Sequence, residues 1–196
     1  DKLSVEQKKV KYIHPKHWYN FINNNDIVCI DTRNLYEITI GNFKNSINPK
    51  TKSFREFPEN FKNLKLKKEQ KIAMYCTGGI RCEKASTFLK SKGFKNVYQL
   101  KGGILGYLSY NEKSSKKNNW QGECFVFDQR VTVNKKLNKG KFLQCYGCRR
   151  PISYQDTLSK NYKKGVCCTY CYDERTAEQK QRSSDRQKQI DANIIF

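Results

Sequence analysis

The fold of this chain is decided by the run Cys76-Thr77-Gly78-Gly79-Ile80-Arg81-Cys82. An apolar, strand-like segment over 71–75 precedes it, and a helix-like segment over 83–92 follows it. The glycine pair lets the backbone turn so that successive amide groups face one point. The pattern therefore predicts that Cys76 ends a strand, in a loop that closes onto a helix N-terminus. Since free N–H groups and the helix dipole favour an anion there, we expect Cys76 to be a thiolate near neutral pH.

The chemistry that suits such a loop is nucleophilic attack by Cys76, with an anionic sulfur or an oxyanion held by the loop. Loop length then separates two classes of protein. Phosphatase loops of this kind have five residues between cysteine and arginine, whereas four residues separate Cys76 from Arg81. The shorter loop resembles that of rhodanese-type sulfurtransferases, whose cysteine carries a persulfide. A buried structural cysteine is the alternative, but such thiols rarely lie at a Gly-Gly turn that opens a helix.

Strand-like and helix-like runs alternate along the first part of the chain. In order, they cover 27–31, 54–63, 71–76, 83–92, 96–100 and 103–110. Such alternation predicts an α/β fold with a parallel sheet and flanking helices. The Cys76 loop would then lie at the carboxyl end of a strand, where open α/β sheets bind ligands.

Several charged residues near the loop have more than one possible role. We expect Asp31, Arg33 and Glu37 to brace a strand end by ion pairs rather than to react. Arg81 could steady an anion at Cys76 or pair with Glu37 or Asp31, and its place at the end of the loop favours the direct role. Cys82 could resolve an oxidised Cys76. We favour a structural role for Cys82, because a residue at the start of a helix can be directed away from the loop.

A wider resemblance covers nearly the whole chain. The segments that carry it are Asp31-Thr32-Arg33-Asn34, Phe54-Arg55-Glu56-Phe57-Pro58, 74–84, 99–104 and 120–131. Together they resemble the rhodanese-related tRNA uridine 5-hydroxylase family. The resemblance implies a rhodanese-like fold and oxygen-dependent hydroxylation of the wobble uridine of certain tRNAs. It also implies that Cys76 is the essential thiol, that tRNA is the partner and that molecular oxygen is a co-substrate.

Two other functions stay open. The chain could be a rhodanese-type sulfurtransferase that passes sulfane sulfur through a Cys76 persulfide, or a non-catalytic binding module, against which the intact loop counts. Members of the hydroxylase family usually carry an N-terminal domain before the rhodanese part. Since this chain opens at Asp1, without an initiator Met, we expect it to be a fragment. No haem, flavin or iron-binding pattern is visible in the sequence.

Two CxxC pairs lie in the C-terminal part, Cys145 with Cys148 and Cys168 with Cys171. Their spacing is typical of a tetrahedral structural zinc site. Cys167 is an adjacent alternative ligand, although Cys168 keeps the two-residue spacing. Unmetallated thiols that pack a small core are the other interpretation, and the family resemblance brings no zinc role. The chain has nine cysteines, an odd number. Reduced thiols therefore fit better than a disulfide framework, and we expect a cytoplasmic protein.

The formal net charge is +21, and residues 129–164 hold ten basic residues against Asp156 alone. Part of the lysine excess could reflect nothing more than genome composition on solvated faces. For the basic segment we nevertheless predict contact with the phosphate backbone of RNA. The residues that we single out for this contact are Arg149, Arg150, Lys163 and Lys164. No apolar run approaches the length of a membrane span, so we expect no membrane partner.

These patterns give a domain plan for the chain. We expect a rhodanese-like domain over 1–112, a linker with a Phe-Val-Phe-Asp segment over 113–128, a basic Cys-rich module over 129–172 and a charged tail over 173–196. The first half of the tail could be helical, and its last apolar residues could dock. The sequence makes no prediction of oligomeric state.

Overall fold

The computed structural model describes residues 11–114 and 118–192. The chain divides into two compact units. The first unit runs to Val126 and also includes Val133–Asn138, and the second comprises Phe127–Thr132 and the residues from Lys139 onward. Among the described residues, no helix is long and apolar enough to cross a membrane.

Within residues 11–114 and 118–126, the first unit holds five α-helices and most of the described strands. The strands in chain order are β1 (Lys11–Ile13), β2 (Ile27–Asp31), β3 (Gly41–Phe43), β4 (Lys71–Tyr75), β5 (Val97–Leu100), β6 (Trp120–Gly122) and β7 (Cys124–Phe125), with β8 (Thr132–Val133) at the unit boundary. The helices are α1 (Pro15–Ile22), α2 (Leu35–Ile38), α3 (Phe57–Lys62), α4 (Ile80–Ser91) and α5 (Gly103–Ser114). A 3₁₀ turn over Phe54–Glu56 precedes α3.

Four parallel strands form the central sheet, in the order β1-β5-β4-β2. Alternate residues of β4 point to opposite faces, as the period of a strand requires. Ala73 and Tyr75 belong to one buried apolar cluster, and Ile72 and Met74 belong to a second. The sheet therefore separates two core layers. The predicted α/β fold with a parallel sheet and flanking helices is confirmed.

The register of the sheet brings the carboxyl ends of β2 and β4 together. Asp31 at the end of β2 pairs with Tyr75 at the end of β4. The next residue, Thr32, donates a backbone hydrogen bond to the Tyr75 carbonyl at 3.0 Å. As a result, the residues that follow β2 and the Cys76 loop that follows β4 lie side by side at the carboxyl edge of the sheet.

Three predicted helix boundaries are wrong. Helix α4 begins at Ile80 rather than at 83, because Gly79 already provides the turn into the helix. The helix predicted over 54–63 is divided, since Pro58 has no N–H with which to continue the hydrogen bonding of the preceding turn. Helix α5 continues to Ser114, so the first residues assigned to the linker are helical.

The second unit contains little regular structure. Its elements are β9 (Leu143–Gln144), β10 (Pro151–Ile152), α6 (Tyr154–Thr157) and α7 (Ala177–Asp191). Strands β9 and β10 pair in antiparallel fashion. Helix α7 extends beyond the first half of the tail, and a reciprocal capping box between Thr176 and Gln179 fixes its start. The last apolar residues, 194–196, lie outside the described part of the chain.

Candidate active site

Cys76 lies in a short loop between β4 and α4, and its side chain is only 2% exposed. The Gly79 N–H donates a hydrogen bond to Cys76 Sγ at 3.0 Å. Gly79 itself has a φ of +107°, a conformation that suits glycine and few other residues. The loop thus uses one backbone position with positive φ to aim an amide at the sulfur.

The start of α5 supports the loop from the other side. The Ile104 N–H donates to the Cys76 carbonyl at 2.9 Å, and the Leu105 N–H donates to the Thr77 carbonyl at 3.2 Å. A Cβ at Gly103 would lie only 2.6 Å from both of these carbonyl oxygens. Glycine is therefore required for this close approach, which holds the loop carbonyls against the helix. This role was not predicted from the sequence, although the two glycines at a helix start were its visible signal.

The Cys76 pKa is lowered from 9.0 to about 6. The largest cause is a hydrogen bond from the Cys82 thiol, which lowers the pKa. Burial raises the pKa and so opposes the shift. The Cys82 N–H, the Arg81 charge and the Gly79 N–H lower it further. The thiolate is therefore the main form of Cys76 at neutral pH. This agrees with the thiolate expected from the sequence.

Cys82 points towards the loop, whereas we had expected it to point away. It is buried, and its thiol lies within hydrogen-bonding reach of Cys76 Sγ. Burial and the neighbouring Cys76 raise the pKa of Cys82 well above its ordinary value. Thr32 Oγ1 lies 3.4 Å from Cys82 Sγ, on the side of β2. Cys82 is therefore a neutral donor to a charged neighbour, because the first turn of α4 directs it back into the loop.

Arg81 takes the second of the two roles considered for it, the ion pair. Its guanidinium donates to both carboxylate oxygens of Glu37, at 2.5 and 2.8 Å, and to Thr77 Oγ1 at 3.3 Å. Glu37 is fully buried at the start of α2. The positive charge of Arg81 still favours the thiolate of Cys76. Arg81 thus links the loop to α2 while contributing to the electrostatics of the site.

Asp31 and Arg33 form a separate, fully buried ion pair at 2.6 Å. Arg33 also donates to the carbonyl of Gly41 at 2.6 Å, at the start of β3. The pair thereby fixes the chain that leaves β2. The described contacts join Asp31 and Arg33 to the backbone around them, in keeping with the bracing role expected for them.

Two further features lie beside the loop. Thr77 Oγ1 is 3.5 Å from the carbonyl of Phe125, and Phe125 packs edge-to-face on Tyr36 with ring centroids 5.4 Å apart. Ile80 is 73% exposed at the first turn of α4. The mouth of the site therefore offers an apolar contact close to a buried thiolate.

The basic residues selected from the sequence have different surroundings in the second unit. Arg150 forms a 2.9 Å ion pair with Glu174, and Lys164 forms a 3.1 Å ion pair with Asp191. Arg149 lies over the ring of Tyr146, 5.8 Å from its centroid. One cleft, of about 340 Å³, is lined by Tyr146, Arg149, Lys164, Gly165, Ser183, Arg186, Gln187 and Ile190.

This cleft includes only part of the predicted set. Arg149 and Lys164 lie in it, and α7 adds Arg186, which our sequence analysis missed. Lys163 lines a different depression, beside Cys167. Because the pattern of α7 is charged on most sides, the sequence carried no signal that would have singled out Arg186.

The comparisons with known proteins agree with this architecture. Residues 14–110 match the model of the rhodanese-like domain family. The first unit thus contains a rhodanese-like domain, and the Cys76 loop lies within the matched residues. The chain is also 53% identical, over 188 residues, to the tRNA uridine(34) hydroxylase of Pelagibacter ubique strain HTCC1062. The chain is therefore similar to that hydroxylase along nearly its whole length, and its first unit carries the rhodanese-like domain.

The extent of each match differs. The alignment with the Pelagibacter ubique protein covers 96% of this chain but 61% of the relative, so the chain spans about three fifths of that protein's length. A rhodanese-related protein from Thermoplasma volcanium is 28% identical with a TM-score of 0.42, covering 51% of this chain and 92% of the other. A rhodanese-like domain protein from Staphylococcus aureus is 20% identical with a TM-score of 0.43, covering 50% and 91%.

Proposed function

We propose that this chain is the rhodanese-like and C-terminal part of an enzyme that hydroxylates the wobble uridine of tRNA to 5-hydroxyuridine. The observation that carries the proposal is the Cys76 loop, with a thiol of pKa about 6, in a chain 53% identical to a tRNA uridine(34) hydroxylase. Cys76 is the essential thiol in this proposal. Thr77 to Cys82 hold and tune it, and Asp31, Arg33 and Glu37 support the loop.

A thiolate of this kind suits the chemistry of uracil. The C5–C6 double bond of uracil is conjugated with the C4 carbonyl, so a thiolate can add at C6 as a nucleophile. The adduct carries negative charge on C5 and the C4 oxygen, which makes C5 the electron-rich carbon. The exposed apolar side chain of Ile80, in the first turn of α4 and four residues after Cys76, offers a surface for one face of a base. We propose that molecular oxygen supplies the added oxygen atom, and that its second atom is reduced to water by two electrons and two protons from an external reductant such as a thiol. Loss of the C5 proton then expels the Cys76 thiolate from C6 and restores the double bond.

The cleft of the second unit is the surface that we propose for tRNA. It combines the positive charges of Arg149 and Arg186 with Tyr146, which is 66% exposed, and it also includes Lys164, which pairs with Asp191. Cations bind phosphate, and an exposed aromatic ring can stack on an unpaired base. Arg150 is less suited to this role than the sequence suggested, because Glu174 already neutralises it.

Replacing Arg149 and Arg186 together by Ala should weaken binding to all tRNAs alike. It should also flatten the salt dependence by about one unit in log–log slope for each lost phosphate contact. Filter binding at several salt concentrations measures both effects, and Arg150→Ala is the matched control, with a smaller expected change. If the double variant binds tRNA like wild type, the assignment of this cleft as the RNA-binding surface is wrong.

The proposed activity is tested on tRNA itself. Transfer RNA is isolated from cells with and without the complete gene, and the nucleoside at position 34 is analysed by accurate mass. The proposal requires 5-hydroxyuridine that disappears with the gene, and growth under ¹⁸O₂ should label its hydroxyl. Since tRNA is modified where it is used in translation, we also propose a cytoplasmic location, which fractionation of the cell tests.

A sulfurtransferase is the second candidate, because a loop that steadies a thiolate can equally hold a persulfide at Cys76. The two functions differ in product. Sulfur transfer to uridine replaces an oxygen by sulfur, and accurate mass distinguishes that product from one with an added oxygen. Transfer of sulfane sulfur from thiosulfate to cyanide by the purified protein, without any change in tRNA, would favour this second candidate.

A further inference from the structure

We infer that the second unit is built around one structural Zn²⁺ ion, held by Cys145, Cys148, Cys168 and Cys171. The four sulfur atoms all lie within 4.8 Å of one another. Neighbouring pairs are closer still: Cys145 and Cys171 are 3.9 Å apart, Cys148 and Cys168 are 3.8 Å apart, and Cys168 and Cys171 are 3.8 Å apart. This inference is independent of the reaction proposed at Cys76.

The distances fit a metal and exclude disulfides. A tetrahedron of sulfur atoms about 2.3 Å from a central Zn²⁺ has edges of about 3.8 Å. A disulfide would bring two sulfurs to about 2.05 Å, and thus fits no pair in the cluster. Two of the pairs, Cys145–Cys171 and Cys148–Cys168, join the two CxxC motifs. The four ligands are thus already arranged as two knuckles that face one point.

The backbone of each knuckle is shaped for this convergence. In the first, the Arg149 N–H donates to the Cys145 carbonyl at 2.7 Å, and Arg149 has a φ of +65°. A Cβ at Gly147 would lie 2.2 Å from the Val166 carbonyl, so only glycine lets the two segments approach. In the second, the Cys168 N–H donates to Cys171 Sγ at 3.3 Å, a backbone contact that helps to neutralise a metal-bound thiolate.

The four cysteines also lie in the second unit's buried cluster, where a small domain would otherwise have an apolar core. Five of the eight residues in the buried cluster of the described second unit are cysteines, and the other three are Ile152, Val166 and Tyr162. Three such side chains bury too little apolar surface to fold a unit of this size. Small domains of this kind usually depend on a metal or on disulfides. Because the sulfurs are too far apart for disulfides, the metal is the stabilising element.

Two arginine side chains hold the backbone of the two knuckles in place. Arg175 donates to the Gly147 carbonyl in the first knuckle, and to Ser183 Oγ in α7 at 2.6 Å. Arg150 donates to the Tyr170 carbonyl in the second knuckle at 3.1 Å. Through Arg175 the metal site holds α7, whose residues line the basic cleft.

The test compares two adjacent cysteines in the complete chain. Cys168→Ser removes a proposed ligand, whereas Cys167→Ser removes a buried thiol whose sulfur lies 3.5 Å from the Asn161 carbonyl. Elemental analysis of protein purified under reducing conditions should give about one zinc per chain for wild type and for Cys167→Ser. The Cys168→Ser protein should lose most of its zinc. Equal zinc contents in the two variants would overturn the assigned ligand set.

A second measurement covers the case in which Cys168→Ser does not fold. Wild-type chain depleted of metal and refolded with Co²⁺ should show the visible and near-ultraviolet absorption of tetrahedral cobalt with thiolate ligands. A chelator should then loosen the second unit, seen as faster proteolysis within 139–192, while the rhodanese-like domain stays folded. A second unit that stays protease-resistant and fully folded without metal would overturn the inference, and so would iron in place of zinc.

Discussion

The contribution of Cys82 to the reactivity of Cys76 can be isolated by two substitutions at one position. Cys82→Ala removes the thiol that is the largest cause of the low Cys76 pKa, whereas Cys82→Ser keeps a hydrogen-bond donor of similar size. The Cys82 and Gly79 backbone N–H groups and the Arg81 charge remain in both variants. The difference between the two variants therefore reports on the side-chain donor alone.

The magnitude follows from the strength of the lost bond. A hydrogen bond to a charged group contributes about 1.5–3 kcal/mol, and one pKa unit corresponds to about 1.4 kcal/mol. Because a thiol is a weak donor, we take the lower end. The Cys76 pKa should then rise from about 6 to about 7 in Cys82→Ala, by about one unit, and stay near its wild-type value in Cys82→Ser.

The assay is the rate at which limiting iodoacetamide alkylates Cys76, followed by mass spectrometry of the Cys76 peptide across pH. The midpoint of the rate profile gives the pKa. Cys29→Ala is the control, since Cys29 is a buried thiol in the opposite core layer from Cys76. A wild-type midpoint near the ordinary thiol value would refute the assignment of Cys76 as a thiolate. Identical midpoints for Cys82→Ala and wild type would refute the role of Cys82.

Two further predictions concern the loop and its charge. Gly79→Ala should destabilise the domain by about 1–3 kcal/mol in a denaturant titration and slow Cys76 alkylation, because φ at Gly79 is +107°. Gly78→Ala is the control, since a Cβ at Gly78 also meets open space but φ there is not positive. It should change the free energy of unfolding very little. The folded pKa of Cys76 lies below that of the unfolded chain, so its ionisation stabilises the fold fully above about pH 9, and this stabilisation is lost as the pH falls through about 6. The free energy of unfolding of wild type, minus that of Cys76→Ala, should therefore rise between these two pH values, and a flat difference would contradict the lowered pKa.

The local pattern of the sequence was enough to predict the centre of the site. Cys76 faces a helix N-terminus because it lies between the strand over 71–75 and the glycine pair that opens the helix. Each of these features depends on neighbours a few residues away, so the sequence alone could predict them. The orientation of Cys82 could not be predicted in the same way. It depends on where α4 begins: because the helix starts at Ile80, Cys82 lies within its first turn rather than before it.

The remaining contacts depend on residues far apart in the chain. Arg81 and its partner Glu37 are 44 residues apart in the chain. Gly103 can support the loop only because α5 returns to the end of β4. Either carboxylate, Asp31 or Glu37, could have satisfied the charge of Arg81 in the sequence. The CxxC spacing, in contrast, predicted the four-cysteine cluster directly, because each pair is local and only the meeting of the pairs is long-range.

In the proposed function, Cys76 is the thiol that modifies the wobble uridine. The most direct measurement is the amount of 5-hydroxyuridine at position 34 of tRNA, in cells whose only copy of the complete gene carries Cys76→Ser. Cells with Cys167→Ser serve as the control, at matched protein levels. We predict that the modification is lost with Cys76→Ser and kept with Cys167→Ser. Normal 5-hydroxyuridine in the Cys76→Ser cells would contradict the account.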